Sequence, residues 1–167
     1  FNPDEMRYNK VLSKVMFSSL YLFDKEVKTG EKYDGRVILP GDLNRFRKIE
    51  LDYDQNIFTV EFASDNFNLP DKTTYQYNLK GLGDGWLVLP AGINRVTFTS
   101  LAPGTYTLNV KATNSDGYEG TDVARLTIVV HPPFWLAWWA WLCYAFVFVS
   151  LLFLARRHIL RREREKY

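Results

Sequence analysis

Residues 134–155 read FWLAWWAWLCYAFVFVSLLFLA, a run of 22 residues with no charge, glycine or proline. A helix that crosses the hydrocarbon core of a bilayer needs about 20 predominantly apolar residues at a rise of ~1.5 Å each. The first third of the run holds four tryptophans, the residues that favour a membrane–water interface: Trp135, Trp138, Trp139 and Trp141. A buried helix of a soluble protein would rarely be so long without a polar residue, and the position excludes an N-terminal signal peptide. The run therefore predicts a single transmembrane helix.

The charges that flank this helix predict its orientation. Residues 156–167 hold six Lys and Arg and two Glu, whereas residues 129–133 hold no Lys or Arg. The more basic flank faces the cytoplasm by the positive-inside rule, and the anchor consists of Arg156, Arg157, Arg161 and Arg162. We therefore expect residues 1–133 outside and 156–167 inside. Since the chain begins FNPDE, without a basic or apolar start, we also expect it to be a piece of a longer or processed protein.

Composition limits the function of the remaining chain. The 167 residues leave room for one globular domain before the helix. The net charge of +2 divides into +4 on residues 156–167 and −2 on residues 1–155, which carry 15 basic and 17 acidic groups. This near-neutral portion does not predict nucleic-acid binding, which needs a basic patch, and the basic tail is better matched to membrane lipid. The single cysteine, Cys143, excludes an intrachain disulfide and a multi-cysteine zinc site.

The portion before the helix has the period-two pattern of half-buried strands. Apolar residues alternate with polar ones in seven runs, which begin near Phe17, Ile49, Phe58, Tyr75, Val96, Tyr106 and Ala124. Turns rich in Gly, Pro, Asn and Asp separate these runs. Seven or eight short strands without an intervening amphipathic helix indicate an all-β, immunoglobulin- or fibronectin-III-like antiparallel sandwich. We expect its inward positions to be mainly aromatic: Tyr53, Phe58, Phe62, Tyr75, Tyr77, Trp86, Phe98 and Tyr106.

The spacing of tyrosines, turn glycines and the membrane exit resembles the Y_Y_Y (triple-tyrosine) domain of bacterial hybrid two-component sensors. The motif positions expected in the core are Tyr75, Tyr77, Leu79, Trp86, Tyr106 and Val110. Those expected in turns are Gly81, Asp84, Pro103, Gly104, Asn114, Asp116 and Gly117. The exit into the membrane matches Pro132, Pro133, Phe134, Trp135, Trp138 and Trp139. Phe98, where a tyrosine is common, departs from the family pattern.

The resemblance implies the rest of a sensor. Such proteins carry β-propellers upstream that perceive a glycan in the periplasm, and a histidine kinase downstream. It implies a bacterial inner-membrane protein whose residues 1–133 are periplasmic and whose residues 156–167 are cytoplasmic. Residues 1–16 would be the propeller tail and connector, 17–131 the Y_Y_Y sandwich, 132–155 the Pro-Pro junction and membrane helix, and 156–167 a basic juxtamembrane segment. A homodimer is the expected assembly.

Several other roles for individual residues are weaker than their place in a sensor of this kind. His158 lies among arginines without the acidic neighbour of a kinase phosphoacceptor, and His131 is more simply a strand-end residue than a pH sensor. Glu50, Asp52 and Glu61 alternate with inward residues, which does not favour a glycosidase pair converging in a cleft.

The glycines of residues 81–85 open no helix and precede no Gly-Lys-Ser/Thr, so a turn is favoured over a phosphate site. Aromatic residues at strand period are more often core than a sugar-stacking platform. We therefore expect no catalytic, metal or cofactor residues in this chain.

Three functions from different classes remain. The favoured one is a relay in which a stiff sandwich passes a signal through Pro132 and Pro133 to the membrane helix. Both His131 and Pro132 precede a proline, which favours extended backbone and a link without slack. The alternative is a membrane-anchored, fibronectin-like binding or adhesion module, and an anchored enzyme with its catalytic domain elsewhere is a third. A kinase encoded directly after Tyr167 would favour the relay.

Overall fold

The computed structural model describes residues 14–65, 72–113, 117 and 119–165. The chain divides into two compact units, Phe1–His131 and Pro132–Tyr167. The first unit is all-β and the second contains one long apolar helix, which confirms the predicted fold class. The predicted connector and propeller tail lie almost entirely outside the described residues, as do the predicted turn residues Asn114 and Asp116.

The seven predicted strands are the seven long strands among the described residues: β1 (Val15–Leu22), β5 (Lys48–Asp52), β6 (Ile57–Ser64), β7 (Thr74–Lys80), β9 (Arg95–Thr99), β10 (Gly104–Thr113) and β11 (Ala124–His131). Four two-residue strands accompany them: β2 (Lys25–Glu26), β3 (Lys32–Tyr33), β4 (Arg36–Val37) and β8 (Leu87–Val88). A short helix, α1 (Leu43–Phe46), precedes β5.

Two sheets form the sandwich. One has the strand order β2-β1-β6-β9 and the other β5-β11-β10-β7-β8, while β3 and β4 make a separate hairpin. All pairs are antiparallel except β11 with β5, which run parallel. Alternation in the sequence does not distinguish parallel from antiparallel pairing, because it shows which face of a strand is buried but not which strand lies beside it.

The core lies between the sheets and is formed by alternate residues of both. Phe58, Val60 and Phe62 of β6 and Leu108 and Val110 of β10 belong to one hydrophobic cluster, and all five are almost completely buried. Aromatic residues of Phe size remove about 150–250 Å² from water, at ~25 cal/mol per Å², so they dominate the burial energy.

Strand β1 contains a bulge that the sequence pattern hides. The register with β6 shifts between Phe17 and Ser19. As a result Phe17 and Leu20, three residues apart, are both buried. The side chain of Asn44 in α1 holds the bulge, since its Oδ1 accepts from the Phe17 N–H at 2.8 Å and its Nδ2 donates to the Phe17 carbonyl at 2.9 Å. Asp42 caps α1 by accepting from two of its N–H groups.

The prediction that Tyr53 and Trp86 lie in the core is wrong. Tyr53 is 40% exposed because β5 ends at Asp52, so the alternation does not extend to it. Trp86 is 41% exposed because it leads into the edge strand β8, both of whose residues are exposed. The other expected aromatic residues are buried, apart from Tyr77, which is partly buried against the core.

The second unit begins with a break that the apolar run does not reveal. A 3₁₀ turn covers Phe134–Leu136, Ala137 is extended (φ −65°, ψ 150°), and the α-helix α2 then runs over Trp138–Arg164. The span predicted from residue 134 is therefore wrong at its start. The apolar part that remains, residues 138–155, is ~27 Å long at ~1.5 Å per residue, close to the ~30 Å hydrocarbon core. Among the described residues, α2 is the one helix long and apolar enough to cross a membrane.

Candidate functional site

The strand that leads to the membrane helix lies inside its sheet. β11 pairs with β10 through seven residue pairs, from Gly104↔Val130 to Val110↔Ala124. On its other side it pairs with β5 through five, from Thr127↔Lys48 to His131↔Asp52. The ladder with β5 reaches the last residue of the strand, immediately before Pro132. The exit strand therefore has a neighbour on both sides as far as Val130, and its last residue, His131, pairs with β5.

Charged side chains surround the end of β11. His131 Nε2 lies 3.5 Å from a carboxylate oxygen of Glu50, and Lys48 Nζ lies 3.1 Å from the other oxygen. A hydrogen bond from Lys48 is the main reason that the pKa of Glu50 is lowered, and contact with His131 acts in the same direction. Asp52 meets Arg36 at 3.5 Å. Glu50 and Asp52, two of the three acids tested above as a glycosidase pair, thus form ion pairs along β5.

Glu61, the third of those acids, lies on a different sheet and accepts a hydrogen bond from the Ser18 hydroxyl at 3.5 Å. Among the described residues, no group of three or more His, Cys, Asp and Glu side chains could hold a metal ion. At the end of β11, His131 thus lies beside Glu50 of the neighbouring strand β5, which also pairs with Lys48 of its own strand.

The two motif tyrosines of β7 connect the sheets. The ring of Tyr75 meets that of Phe62 edge-on at 4.9 Å, and the ring of Tyr77 meets that of Phe98 at 6.1 Å. Both phenylalanines belong to the opposite sheet. Edge-to-face pairs of this kind add about 0.5–1.5 kcal/mol beyond burial. Burial raises the pKa of Tyr75, and a backbone hydrogen bond from Ser64 partly opposes the shift.

The third motif tyrosine fixes the start of β10. The hydroxyl of Tyr106 donates to the Ala102 carbonyl at 2.8 Å, four residues upstream. This contact resembles the tyrosine corner of immunoglobulin-type sandwiches. A Cβ placed on Gly81 (φ +108°) would lie 3.0 Å from the Tyr106 ring. A Cβ placed on Gly104 would lie 3.9 Å from the same ring, an ordinary contact, and it is the φ of +156° that favours glycine there. Tyr106 therefore leaves little room for a side chain at Gly81, whereas Gly104 is favoured by its backbone conformation.

A buried asparagine that sequence reasoning missed holds the loop after β7. Asn78 Nδ2 donates to the carbonyls of Gly83 and Gly85, at 3.2 and 2.8 Å. Its position between Tyr77 and Leu79, facing away from the core in an alternating strand, gave no sign of this role. A polar residue followed within a few positions by a glycine cluster is the signal that could have found it.

Trp86 lies on the outer face of the sheet, not in the core. Lys111 of β10 places its Nζ 4.6 Å from the centre of the indole ring and also forms an ion pair with Glu119 at 3.2 Å. This cation–π contact explains how the large ring is accommodated at the surface.

The remaining motif positions divide between core and surface. Leu79 and Val110 are buried as expected. Gly117 has φ +82°, as the predicted turn requires. Asp84 and Pro103 are exposed.

The aromatic cluster of the second unit is held by contacts within that unit. The rings of Phe134 and Trp135 meet edge-on at 5.0 Å. The hydroxyl of Tyr144 donates to the Trp135 carbonyl at 3.2 Å, which joins the 3₁₀ turn to α2. Sequence analysis missed Tyr144, because it lies within the apolar run. Trp138 and Trp139 are exposed on α2, as an interfacial belt requires.

Part of the chain matches a known domain family. Residues 66–131 match the Y_Y_Y domain. The chain is 30% identical over 145 residues to histidine kinase P4 of Formosa agariphila, an alignment that covers 87% of this chain and 10% of that protein.

Two solved structures, both extracellular domains of hybrid two-component systems from B. thetaiotaomicron, are similar to this chain. One is 27% identical with a TM-score of 0.61, covering 74% of this chain and 16% of the other. The second is 27% identical with a TM-score of 0.62, covering 80% of this chain and 17% of the other.

This chain spans about a tenth of the length of its curated relative. The extracellular neighbours and the apolar helix together fit a single-pass membrane protein. Residues 66–131 therefore belong to the Y_Y_Y domain family, in a chain that is similar to a histidine kinase and to the extracellular domains of hybrid two-component systems.

Proposed function

We propose that this chain is the membrane-proximal relay of a hybrid two-component sensor histidine kinase. Residues 17–131 form the periplasmic sandwich, 132–155 cross the bacterial inner membrane, and 156–167 begin the cytoplasmic part. β-Propellers upstream, of which residues 1–16 are the tail and connector, bind a glycan. A histidine kinase downstream responds, and the sensor acts as a homodimer. The relay itself performs no chemistry.

The position of β11 is the observation that carries this proposal. Coupling between two sites is typically about 1–3 kcal/mol. A single backbone hydrogen bond contributes a net ~0.5–1.5 kcal/mol, and β11 is paired with β10 over seven residues and with β5 over its last five. Displacing the strand from its sheet would therefore cost more than the signal supplies. β11 moves with the sheet, and any displacement of the sheet reaches Pro132.

The link that follows supports the same mechanism. Pro133 is extended (φ −62°, ψ 154°), and both prolines have a restricted φ. A stiff link of this kind passes on a shift in position that a flexible one would absorb. In a dimer, a change in the separation or rotation of the two sandwiches would then move the two membrane helices.

The charge distribution supports the orientation. Arg156 and Arg157 directly follow the apolar part of α2, and residues 129–133 before it have no Lys or Arg. A C-terminal fusion to alkaline phosphatase should be inactive, because that enzyme needs the periplasm, and a fusion to green fluorescent protein should be fluorescent. The reverse pair of results would contradict the assignment.

The relay is tested by adding slack at the junction. Gly-Gly-Ser inserted between His131 and Pro132 leaves the ladder with β5 intact, since His131 is its last residue. The insert adds freedom of about 10 Å, from ~5–6 Å multiplied by the square root of its length. In the full-length protein we expect it to abolish the change in autophosphorylation that a panel of polysaccharide digests induces.

The matched control places the same insert between Ala91 and Gly92, in an exposed turn of the sandwich. That variant should respond as the unmodified protein does. A junction variant that still responds fully, with membrane insertion verified, would contradict the relay and favour the anchored binding module.

A further inference from the structure

The arginines that follow the apolar part of α2 are not distributed evenly around the helix. Four of them share one face with two apolar residues. This arginine face is lined by Phe153, Arg156, Arg157, Leu160, Arg161 and Arg164. At ~100° per residue, Arg162 points roughly 160° away from the mean direction of these four arginines. A general positive-inside anchor needs cations near the membrane but does not need them on one side.

The acids of this segment lie off the arginine face. Glu163 and Glu165 point about 100° to either side of its mean direction, at ~100° per residue. In residues 119–165, none of the four arginines forms an ion pair with a carboxylate. The four guanidinium groups are therefore left to interact with something other than the described protein.

The neighbours of these groups indicate the class of ligand. Phe153 and Leu160 are exposed on the same face, beside the guanidinium groups. Arg157 and Arg161 are one helical turn apart, ~6 Å along the axis, so both can reach one bound group. Guanidinium binds phosphate through two parallel hydrogen bonds. A ligand with a phosphate at the membrane surface and an acyl chain below it matches both features.

We propose that the arginine face binds the headgroup of an anionic phospholipid, with the phosphate between Arg157 and Arg161 and an acyl chain along Phe153. The site requires only that α2 crosses a membrane, and it does not depend on the relay. Binding here would fix the rotation of α2 about its axis relative to the lipid, which a symmetric ring of charges would not do.

The test compares two adjacent arginines. Arg161→Gln and Arg162→Gln remove the same charge at nearly the same depth, but only the first lies on the arginine face. The whole chain in a neutral detergent is titrated with phosphatidylglycerol, and bound lipid is counted by native mass spectrometry. We expect Arg161→Gln to weaken binding about fivefold, as expected for one lost cation near an anionic surface. Arg162→Gln should bind within about twofold of the unmodified chain, and zwitterionic phosphatidylcholine should bind weakly to all three proteins.

Three outcomes would overturn the proposal. Equal weakening by the two substitutions would mean that the charge acts diffusely. Equal binding of phosphatidylcholine would mean that the anionic headgroup is not recognised. Displacement of the lipid by inorganic phosphate at constant ionic strength would mean that the site takes free phosphate. Far-UV circular dichroism of each variant establishes that the helix is retained.

Discussion

Replacing Gly81 with alanine should destabilise the sandwich far more than replacing its neighbour Gly83. Gly81 has φ +108°, a conformation that L-residues rarely adopt, and an added Cβ would lie 3.0 Å from the Tyr106 ring and 3.3 Å from the Thr105 carbonyl oxygen. The first contact is with a buried aromatic ring and the second with backbone, so neither neighbour yields easily. The predicted loss arises from both the backbone strain and the crowding.

The magnitude follows from two opposing effects. Strain at a sparsely populated φ/ψ costs about 1–3 kcal/mol, and crowding adds to it. Alanine restricts the unfolded chain and returns about 0.4–1 kcal/mol. The net loss in the free energy of unfolding should be about 2 kcal/mol. With an m-value of ~1.5 kcal/mol per M, the urea midpoint should fall by roughly 1.3 M.

The assay is urea unfolding of residues 1–131, prepared without the membrane helix and followed by far-UV circular dichroism. Gly83 provides the control, because its added Cβ has nothing within 4 Å and its φ lies outside the restricted range. Gly83→Ala should leave the midpoint unchanged or raise it slightly, as the unfolded-state effect requires. If both substitutions lower the midpoint equally, or neither does, the close packing of Gly81 on Tyr106 is not what fixes this turn.

Three further predictions use the same unfolding measurement. Tyr106→Phe removes the hydrogen bond to Ala102 and should cost about 1 kcal/mol; an unchanged midpoint would mean that the corner contributes no stability. Asn78→Ala removes the two hydrogen bonds that a buried amide donates to the loop, together with a longer one that it accepts from Asn109, and should cost about 2 kcal/mol; a loss below about 0.5 kcal/mol would show that these bonds do not stabilise the loop. Glu50→Gln should cost only a few tenths of a kcal/mol at neutral pH, because its pair with Lys48 is exposed. Since the folded-state pKa of Glu50 is lowered from 4.5, its contribution is present above pH 4.5 and is lost as the pH falls through the folded-state value. The difference between Glu50→Gln and the unmodified protein should therefore vanish in acid, and a difference that persists there would refute the assignment.

Local alternation was sufficient to predict the long strands and most of the core. Phe58 and Phe62 are buried because the period-two pattern of β6 is uninterrupted, and periodicity reads such a strand correctly. The pattern failed where a strand ends or slips. Tyr53 continues the alternation of β5 in sequence but lies beyond the last residue of that strand, Asp52. The bulge after Phe17 shifts the buried positions by one, which a fixed period cannot represent.

The candidate site was harder to predict than the core, because it depends on which strands are neighbours. The motif tyrosines were recognised as core, but their partners on the opposite sheet and the role of Asn78 follow only from the folded arrangement. The same is true of the pair between His131 and Glu50, which are far apart in sequence and meet because β11 runs parallel to β5.

The parallel pairing also bears on the proposed relay. An antiparallel neighbour would run away from the exit, so its own end would lie at the far edge of the sheet. β5 instead runs beside β11 in the same direction, and its last residue, Asp52, pairs with His131. The turn after Asp52 is also fixed, since the Asp52 N–H donates to Oε1 of Gln55 at 2.9 Å. The final residue before Pro132 is thus paired with an ordered neighbour, as the proposed relay requires, because a strand with a frayed end could not transmit a displacement of the sheet to the chain that follows.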